Sequence, residues 1–349
     1  MSSKVYKLSW EKFQNNPDSI HTLLDKFKDK IKGKTAVKTH FGEPGNKNAF
    51  RGKDLIPITD WIHNNNIEGF LTDSNTLYVG KRDNAIEHLQ TARKHGFGFS
   101  NLGLPVIIAD GLNGEAEEVF KLEELSNKYK ELEIRLGEAV MNADSLICIS
   151  HVKGHPLFGF GGAIKNVGMG IASKAGKKIL HNTTAGEVKK GKCVACGTCI
   201  KYCPADAISL KENTIEIDYE KCIGCGECVS VCPNNAIEVN EENTKVCQEK
   251  TAVYTLGLVK DKPELYINFV FNVNEVCDCF DSTKPKLIDD LGILVSDDPV
   301  AIDKASLDWI NKKAGKDLFR EVNEVNYDPI LDMGEEIGLG SKDYEIEEI

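Results

Sequence analysis

The sequence predicts an α/β fold, a mainly parallel sheet with flanking helices, into which a small cysteine-rich α+β unit is inserted. Three observations carry that expectation. Short apolar runs of the buried-strand kind alternate with helical patterns, which favours a parallel sheet covered on both faces. Two matching cysteine runs occupy the middle of the chain, Cys193 to Cys203 and Cys222 to Cys232. The strand–helix alternation resumes beyond them. The expected division is an α/β domain whose first part is residues 1–185, an insert over 186–244, and the completing α/β part over 245–349.

The elements follow in order. Asn16 is placed to cap a helix with Pro17 at its first position, where the missing N–H is no loss. Ile20, Leu23, Leu24, Phe27 and Ile31 fall on one face of it, and Gly33 ends it. Ala36–Phe41 reads as a strand, Leu55–His63 as a helix and Gly69–Ser74 as a strand. Asp83 is expected to cap a helix with Ile86 and Leu89 inward and Gly96 at its end. Pro105–Asp110 and Ser145–Ser150 are apolar runs suited to buried strands. A helix is expected near Ala163, and each half of the insert reads as cysteine loop, helical turn and short strand, such as Thr214–Ile217. Tyr266–Val273 and Ile293–Val295 read as strands, and Asp297-Asp298-Pro299 opens a helix running to Gly315. The last dozen residues are acidic and are expected to be loose. His21, His63, His88 and His95 fall on helices and read as surface, and Cys148 as a small buried hydrophobe.

At 349 residues the chain has room for one large or two ordinary domains, and its 41% hydrophobic content supports a sizeable core. The net charge of −11 argues against nucleic acid or an anionic membrane as partner, because each needs a basic patch. No apolar run reaches transmembrane length and none near Met1 resembles a signal peptide, so a cytoplasmic location is expected. Thiols stay reduced there, which makes the twelve cysteines ligands rather than disulfides.

The cysteine spacing is the most specific signal. Cys193-x2-Cys196-x2-Cys199-x3-Cys203-Pro204 is followed by Cys222-x2-Cys225-x2-Cys228-x3-Cys232-Pro233. Each run has the ligation pattern of a bacterial-type [4Fe–4S] cluster. Three thiolates hold one cube, the fourth serves the other cube, and the proline turns the chain. The pattern assigns one cluster to Cys193, Cys196, Cys199 and Cys232, and the second to Cys222, Cys225, Cys228 and Cys203. Zinc sites and disulfides are the alternatives, but zinc usually needs only two cysteine doublets. So small a ferredoxin-like unit has little core, and its two [4Fe–4S] clusters serve as its interior.

A second signal is the stretch from Ser150 to Gly170, directly after a buried strand. In open α/β sheets ligands bind at such carboxyl ends. Gly161 and Gly162 let backbone N–H groups approach an anion, and the helix near Ala163 would add its positive end. Lys153, Lys165 and Asn166 belong to the same candidate binding loop, and His40 ends the first strand in a similar position. The alternative is a tight turn whose glycines only permit positive φ. Cys277-x-Cys279 is a candidate metal pair or redox pair, and needs a bend because alternate strand residues would not converge. Asp297 and Asp298 suit either a cation or helix capping.

His151–Gly170, Cys277-Asp278-Cys279 and Gly292–Asp303 together resemble the domain-of-unknown-function 362 family along nearly the whole chain. That resemblance implies an α/β domain carrying a two-cluster ferredoxin unit. A second, local resemblance links His155, Gly159-Phe160, Gly161-Gly162, Lys165 and His181 to nickel-dependent lactate racemases. It implies Lys165 as the attachment point of a nickel–pincer nucleotide, His181 as a metal ligand and His155 as an acid/base. The chain departs from those enzymes at Asp73-Ser74-Asn75-Thr76, which lacks their second proton-moving histidine. The leading expectation is an iron–sulfur oxidoreductase that relays electrons to a substrate or cofactor at the Gly-rich loop. The alternatives are an electron carrier or assembly partner that docks another protein, and a non-redox isomerase related to the racemases. The expected partner is a redox protein or a small-molecule substrate, and an additional metal or nucleotide-type cofactor belongs to the same expectation.

Overall fold

Ser145-Leu-Ile-Cys-Ile-Ser-His151 is apolar at every central position, which suits only a strand covered from both sides. In the computed structural model, which describes residues 2–78, 80–189, 191–279 and 284–349, that strand lies inside an eight-stranded sheet. The strand order is Tyr344–Glu348, Ser3–Ser9, Gly292–Ser296, Glu264–Val270, Ser145–His151, Lys34–Lys38, Glu68–Asp73, Val106–Ile108. The last five are mutually parallel. Gly292–Ser296 runs antiparallel to both its neighbours. The sheet is thus mainly parallel, as expected.

Alternate side chains enter two layers, as the pleat requires. Ile147 and Ile149 pack on the side of Leu23, Ile58 and Trp61. Leu146 and Cys148 face the other side, with Ile164, Val253 and Ile302. Cys148 is fully buried. The helix Pro299–Ala314 begins and ends as its sequence dictates: Asp298 accepts from the N–H groups of Val300 and Ala301, and Gly315 closes it at φ 69°.

Several elements differ from expectation for physical reasons. Asn16 makes no side-chain cap, and the segment after it is a 3-10 turn over Pro17–Ile20 followed by a single helical turn, His21–Leu24. Its apolar residues are nonetheless buried. Asn84, not Asp83, caps the helix Ala85–Lys94. Its inner face carries His88, Thr91 and Ala92, which are buried, and leaves Ile86 and Leu89 exposed. The acidic C-terminus is a strand, because Glu348 and Glu347 meet Lys7 and Lys26 at 3.0 and 3.1 Å along the sheet edge.

Residues 186–240 carry two small two-stranded sheets and the short helices Thr198–Lys201 and Glu227–Ser230. They have a hydrophobic cluster of their own, built on Cys199, Ile208, Ile215, Ile217 and Ile237. The expected break after residue 244 falls inside a 19-residue helix, Glu241–Val259, whose cap is Asn240. This helix is buried on nearly all sides, so it carries no apolar stripe to betray it. Among the described residues no helix is long and apolar enough to cross a membrane.

Candidate functional site

Because the five central strands are parallel, their carboxyl ends share one edge. The loops there enclose a cavity of about 140 Å³. His40, Lys153, His155, Gly161, Gly162, Lys165, Asn166 and His181 all line it, together with Cys277 and Cys279.

The chain reaches this arrangement by a tight hairpin, Lys153–His155 against Gly159–Gly161, then the short helix Ala163–Gly168. A break follows, and a second helix, Lys174–His181, brings His181 back toward Lys165. An unbroken helix would have carried His181 about 24 Å away.

Two details correct the loop expectation. The N-terminus of Ala163–Gly168 is already occupied by the chain's own anion: Asp303 accepts from Ala163 N–H at 2.6 Å and Ile164 N–H at 3.0 Å. Gly162 is required there, since a Cβ would lie 2.2 Å from Asp303 Oδ1. The helix end is therefore not the anion site. Asn166 is also committed. Its amide nitrogen donates to Ile149 O at 3.0 Å, and its oxygen accepts from Lys38 Nζ at 2.7 Å.

The electrostatics centre on residues that sequence reasoning did not single out. Asp73 is buried beside two cations, Lys38 at 3.1 Å and Arg82 at 3.5 Å, with His88, which burial keeps neutral, at 3.5 Å. Burial opposes its charge, but Lys38 leads the attractions that hold its carboxyl well below the usual range. His88 therefore faces the buried network, not solvent. Arg82 also pairs with Glu43 at 2.8 Å. Lys177 donates to Ser74 Oγ and Ala172 O, both at 2.5 Å, and burial pushes it down to about 8. The signal available in sequence was thin: a lysine or aspartate at the end of an apolar strand also reads as a solvated strand end.

Lys165 is likewise pushed to about 8, first by burial and then by neighbouring cations. Its ammonium rests 5.3 Å over the Phe158 ring. Among the described residues no carboxylate lies within ion-pair distance of it. Burial holds His181 down at about 3 and His40 and His155 well below 6.5, so all three are neutral. His40 Nδ1 accepts from Gly42 N–H at 3.0 Å. His155 Nδ1 accepts from the N–H groups of Leu157 at 3.1 Å and Phe158 at 3.2 Å. Those bonds put the ring proton of each on Nε2.

Cys277 and Cys279 are bonded as a disulfide, against the expectation that the cysteines are ligands. A turn at Asp278 allows it, bringing their Cα atoms to 5.3 Å. His151 Nδ1 contacts Asp278 Oδ2 at 2.8 Å, and Lys153 stands 3.7 Å from Oδ1. Burial opposes the charge of Asp278, but attraction by its neighbours His151 and Lys153 holds its carboxyl below its ordinary range.

Eight of the remaining ten cysteines form two cradles. Cys193, Cys196, Cys199 and Cys232 line the first small void, and Cys203, Cys222, Cys225 and Cys228 line the second. All eight are free thiols. Ala207 N–H donates to Cys203 Sγ at 3.3 Å, and Ala236 N–H to Cys232 Sγ at 3.2 Å. Four convergent thiols with backbone donors suit a metal cluster. Gly224 joins the second cradle to the site: at φ +69° it packs so closely that a Cβ would meet His181 O at 2.0 Å. Cys225 and Glu227 line both this cradle and the main cavity.

A carboxyl-end cavity in a mainly parallel sheet, bordered by one of two cysteine cradles, defines an α/β protein with a candidate ligand site beside candidate metal centres. Residues 35–308 match the family model described as "Domain of unknown function (DUF362)", and the chain belongs to that family. Among solved structures, it is similar to the lactate racemase apoprotein from Thermoanaerobacterium thermosaccharolyticum, at 12% identity and a TM-score of 0.42. That match covers 89% of this chain and 57% of the racemase. A protein from Thermotoga maritima matches at 10% identity and the same TM-score, over 93% of this chain and 59% of its own. The chain thus spans less than two thirds of either. No curated protein matches it.

Proposed function

We propose that this chain is an iron–sulfur oxidoreductase that takes a small anionic substrate into the carboxyl-end cavity. One [4Fe–4S] cluster would be held by Cys193, Cys196, Cys199 and Cys232, the other by Cys203, Cys222, Cys225 and Cys228. Such groups supply one-electron transfer when bound. The observation that carries the reading is the shared wall: Cys225 and Glu227 border the second cradle and the cavity alike. Lys165, with no carboxylate partner among the described residues, offers the substrate its counter-charge, and Nε2–H groups of His40 and His155 supply neutral donors beside it.

The same tautomers bear on the isomerase alternative. Two-sided proton transfer needs two bases, yet the Nδ1 lone pairs of His40 and His155 are already engaged by backbone N–H groups. The geometry therefore counts against His40 and His155 as proton-abstracting bases. The first cradle is the more open one, with Cys196 exposed and Val194 63% exposed, and a redox partner protein would meet the chain there. We take residues 186–244 as the cluster-bearing unit and the cytoplasm as its compartment.

Iron and sulfide analysis of anaerobically purified protein, with electron paramagnetic resonance of the reduced form, tests the proposal. About eight irons per chain are expected. Replacing Cys203 by Ser should perturb the cluster of the second run and spare the first. Near four irons, or mostly zinc, would refute the two-cluster reading.

A further inference from the structure

The disulfide in the cavity wall has no evident structural task. It links residues two apart, so the ring it closes removes less freedom from the unfolded chain than a bridge across a long loop would. So short a staple stabilises little, which points to its chemistry. Its setting supports this. Both cysteines line the cavity, and a ring nitrogen of His155 lies within 4.8 Å of each sulfur. The turn is held rigidly from outside: Glu43 N–H donates to Asp278 O at 2.9 Å, Phe50 N–H to Asp278 Oδ2 at 3.1 Å, and Tyr78 Oη to Cys279 O at 3.2 Å. We propose that Cys277–Cys279 is a redox-active disulfide that exchanges two electrons with a small dithiol or disulfide entering the cavity. This rests on the cavity being the functional site, as proposed above.

The geometry also gives the direction of attack. Cys277 is 8% exposed, whereas Cys279 is the more accessible of the two. An incoming thiolate would bond to Cys279 Sγ, breaking the S–S bond and expelling Cys277 Sγ with the electron pair. The backbone N–H of Cys279 donates to Cys277 Sγ at 3.3 Å, and so stabilises the departing thiolate. The Nε2–H of His155 is the nearby group of suitable polarity to add to that stabilisation. The second thiol of the donor then attacks the mixed disulfide and releases Cys279. Two electrons and two protons pass from the dithiol to the cysteine pair, and the donor becomes a disulfide. A metal-binding role for the same pair requires the S–S bond to be absent. It also sets His155 at odds with its tautomer, because a metal at Nε2 would drive the ring proton onto an Nδ1 that already accepts two N–H groups.

The full-length protein, purified anaerobically with its iron, is equilibrated with oxidised and reduced dithiothreitol in varying ratio. It is then denatured and alkylated with iodoacetamide, and the peptide bearing Cys277 and Cys279 is read by mass spectrometry. The expected disulfide-to-dithiol ratio changes tenfold for each tenfold change in the buffer ratio, as for one two-electron couple. A peptide doubly alkylated at every ratio, or a dithiol form kept from oxidation by bound metal, would overturn the proposal. In a second experiment, Cys279 in the Cys277→Ser variant should form a mixed disulfide with glutathione disulfide at least tenfold faster than Cys277 in the Cys279→Ser variant. Equal or reversed rates would overturn the direction of attack. Iron content is measured on the same samples. Loss of iron with an intact redox curve would count against the clusters alone, and a flat curve with full iron against the disulfide alone.

Discussion

Replacing Lys165 by Met should make the protein more stable and less able to bind an anion. Burial brings this lysine from its ordinary 10.5 to about 8. At about 1.4 kcal/mol per pKa unit, holding the ammonium in its folded setting at neutral pH costs about 3 kcal/mol relative to a solvated lysine. Relaxation of the surroundings offsets part of that penalty. Loss of the contact over Phe158 removes about 0.5–1 kcal/mol of compensation. The net expected gain for Lys165→Met is about 1–2 kcal/mol at pH 7. Its pH dependence follows from the same shift. The folded chain releases the Lys165 proton near pH 8, while the unfolded chain keeps its proton to about 10.5. Between those values the unfolded state binds more protons, so wild-type stability rises with pH and the penalty fades. The variant's advantage is thus full below pH 8 and falls to roughly a quarter by pH 10. Urea denaturation under anaerobic conditions, followed by circular dichroism at both pH values, measures it. Calorimetric titration with a small carboxylate such as oxalate should show at least a tenfold weaker association for the variant. A lower denaturation midpoint at pH 7, or an advantage that ignores pH, would refute the desolvation argument and leave Lys165 an ordinary structural residue.

Two more outcomes follow from the same geometry. Asp73→Asn leaves Lys38 and Arg82 buried without their shared anion and should cost about 3–5 kcal/mol by the same denaturation assay; a loss under about 1 kcal/mol would mean that other groups already neutralise them. Gly224→Ala forces a side chain into His181 O at a positive φ, so the junction between cradle and cavity should open, seen as faster amide hydrogen exchange around Thr184; unchanged exchange would show that the contact is soft.

Much of the fold was legible because buried parallel strands announce themselves as apolar runs, and because Asp298 and Gly315 punctuate their helix in the ordinary way. The helix Glu241–Val259 was not, since Thr251, Gln248 and Lys250 are buried with their polar groups bonded within the fold, as Gln248 Nε2 is to Asn326 O at 2.8 Å. The terminal strand was hidden by its charge: a run of glutamates reads as solvated until Lys7 and Lys26 are known to lie opposite. At the site, His155, Lys165 and His181 could be named because they share one glycine-rich stretch. Asp73, Arg82 and His88 could not, because they come from separate elements and only the sheet brings their side chains together. The anion role given to the start of the Ala163 helix failed for a related reason: the carboxylate of Asp303, which fills that end, arrives from far along the chain.

The two kinds of buried cation at and beside this cavity argue for a ligand. Lys38 and Arg82 are matched by Asp73 and Glu43, and such pairs can be explained by folding alone. Lys165 and Lys177 are matched less directly: Lys177 bonds to neutral oxygens, with the Asp110 and Asp73 carboxylates acting on it only from farther off, and Lys165 meets an aromatic face. Both are poised to change charge near pH 8, which a purely structural core has no need to arrange. An arriving anion would restore the balance that the fold withholds, raising both lysines toward full protonation as it binds. The cavity wall then presents that anion to the Cys277–Cys279 bond on one side and to Cys225 on the other. A site built only to dock a protein would need neither the desolvated lysines nor an oxidisable pair at the same depth. For that reason the pH dependence of anion binding, falling as pH rises through 8, is the measurement on which the enzyme reading and the docking reading part most sharply.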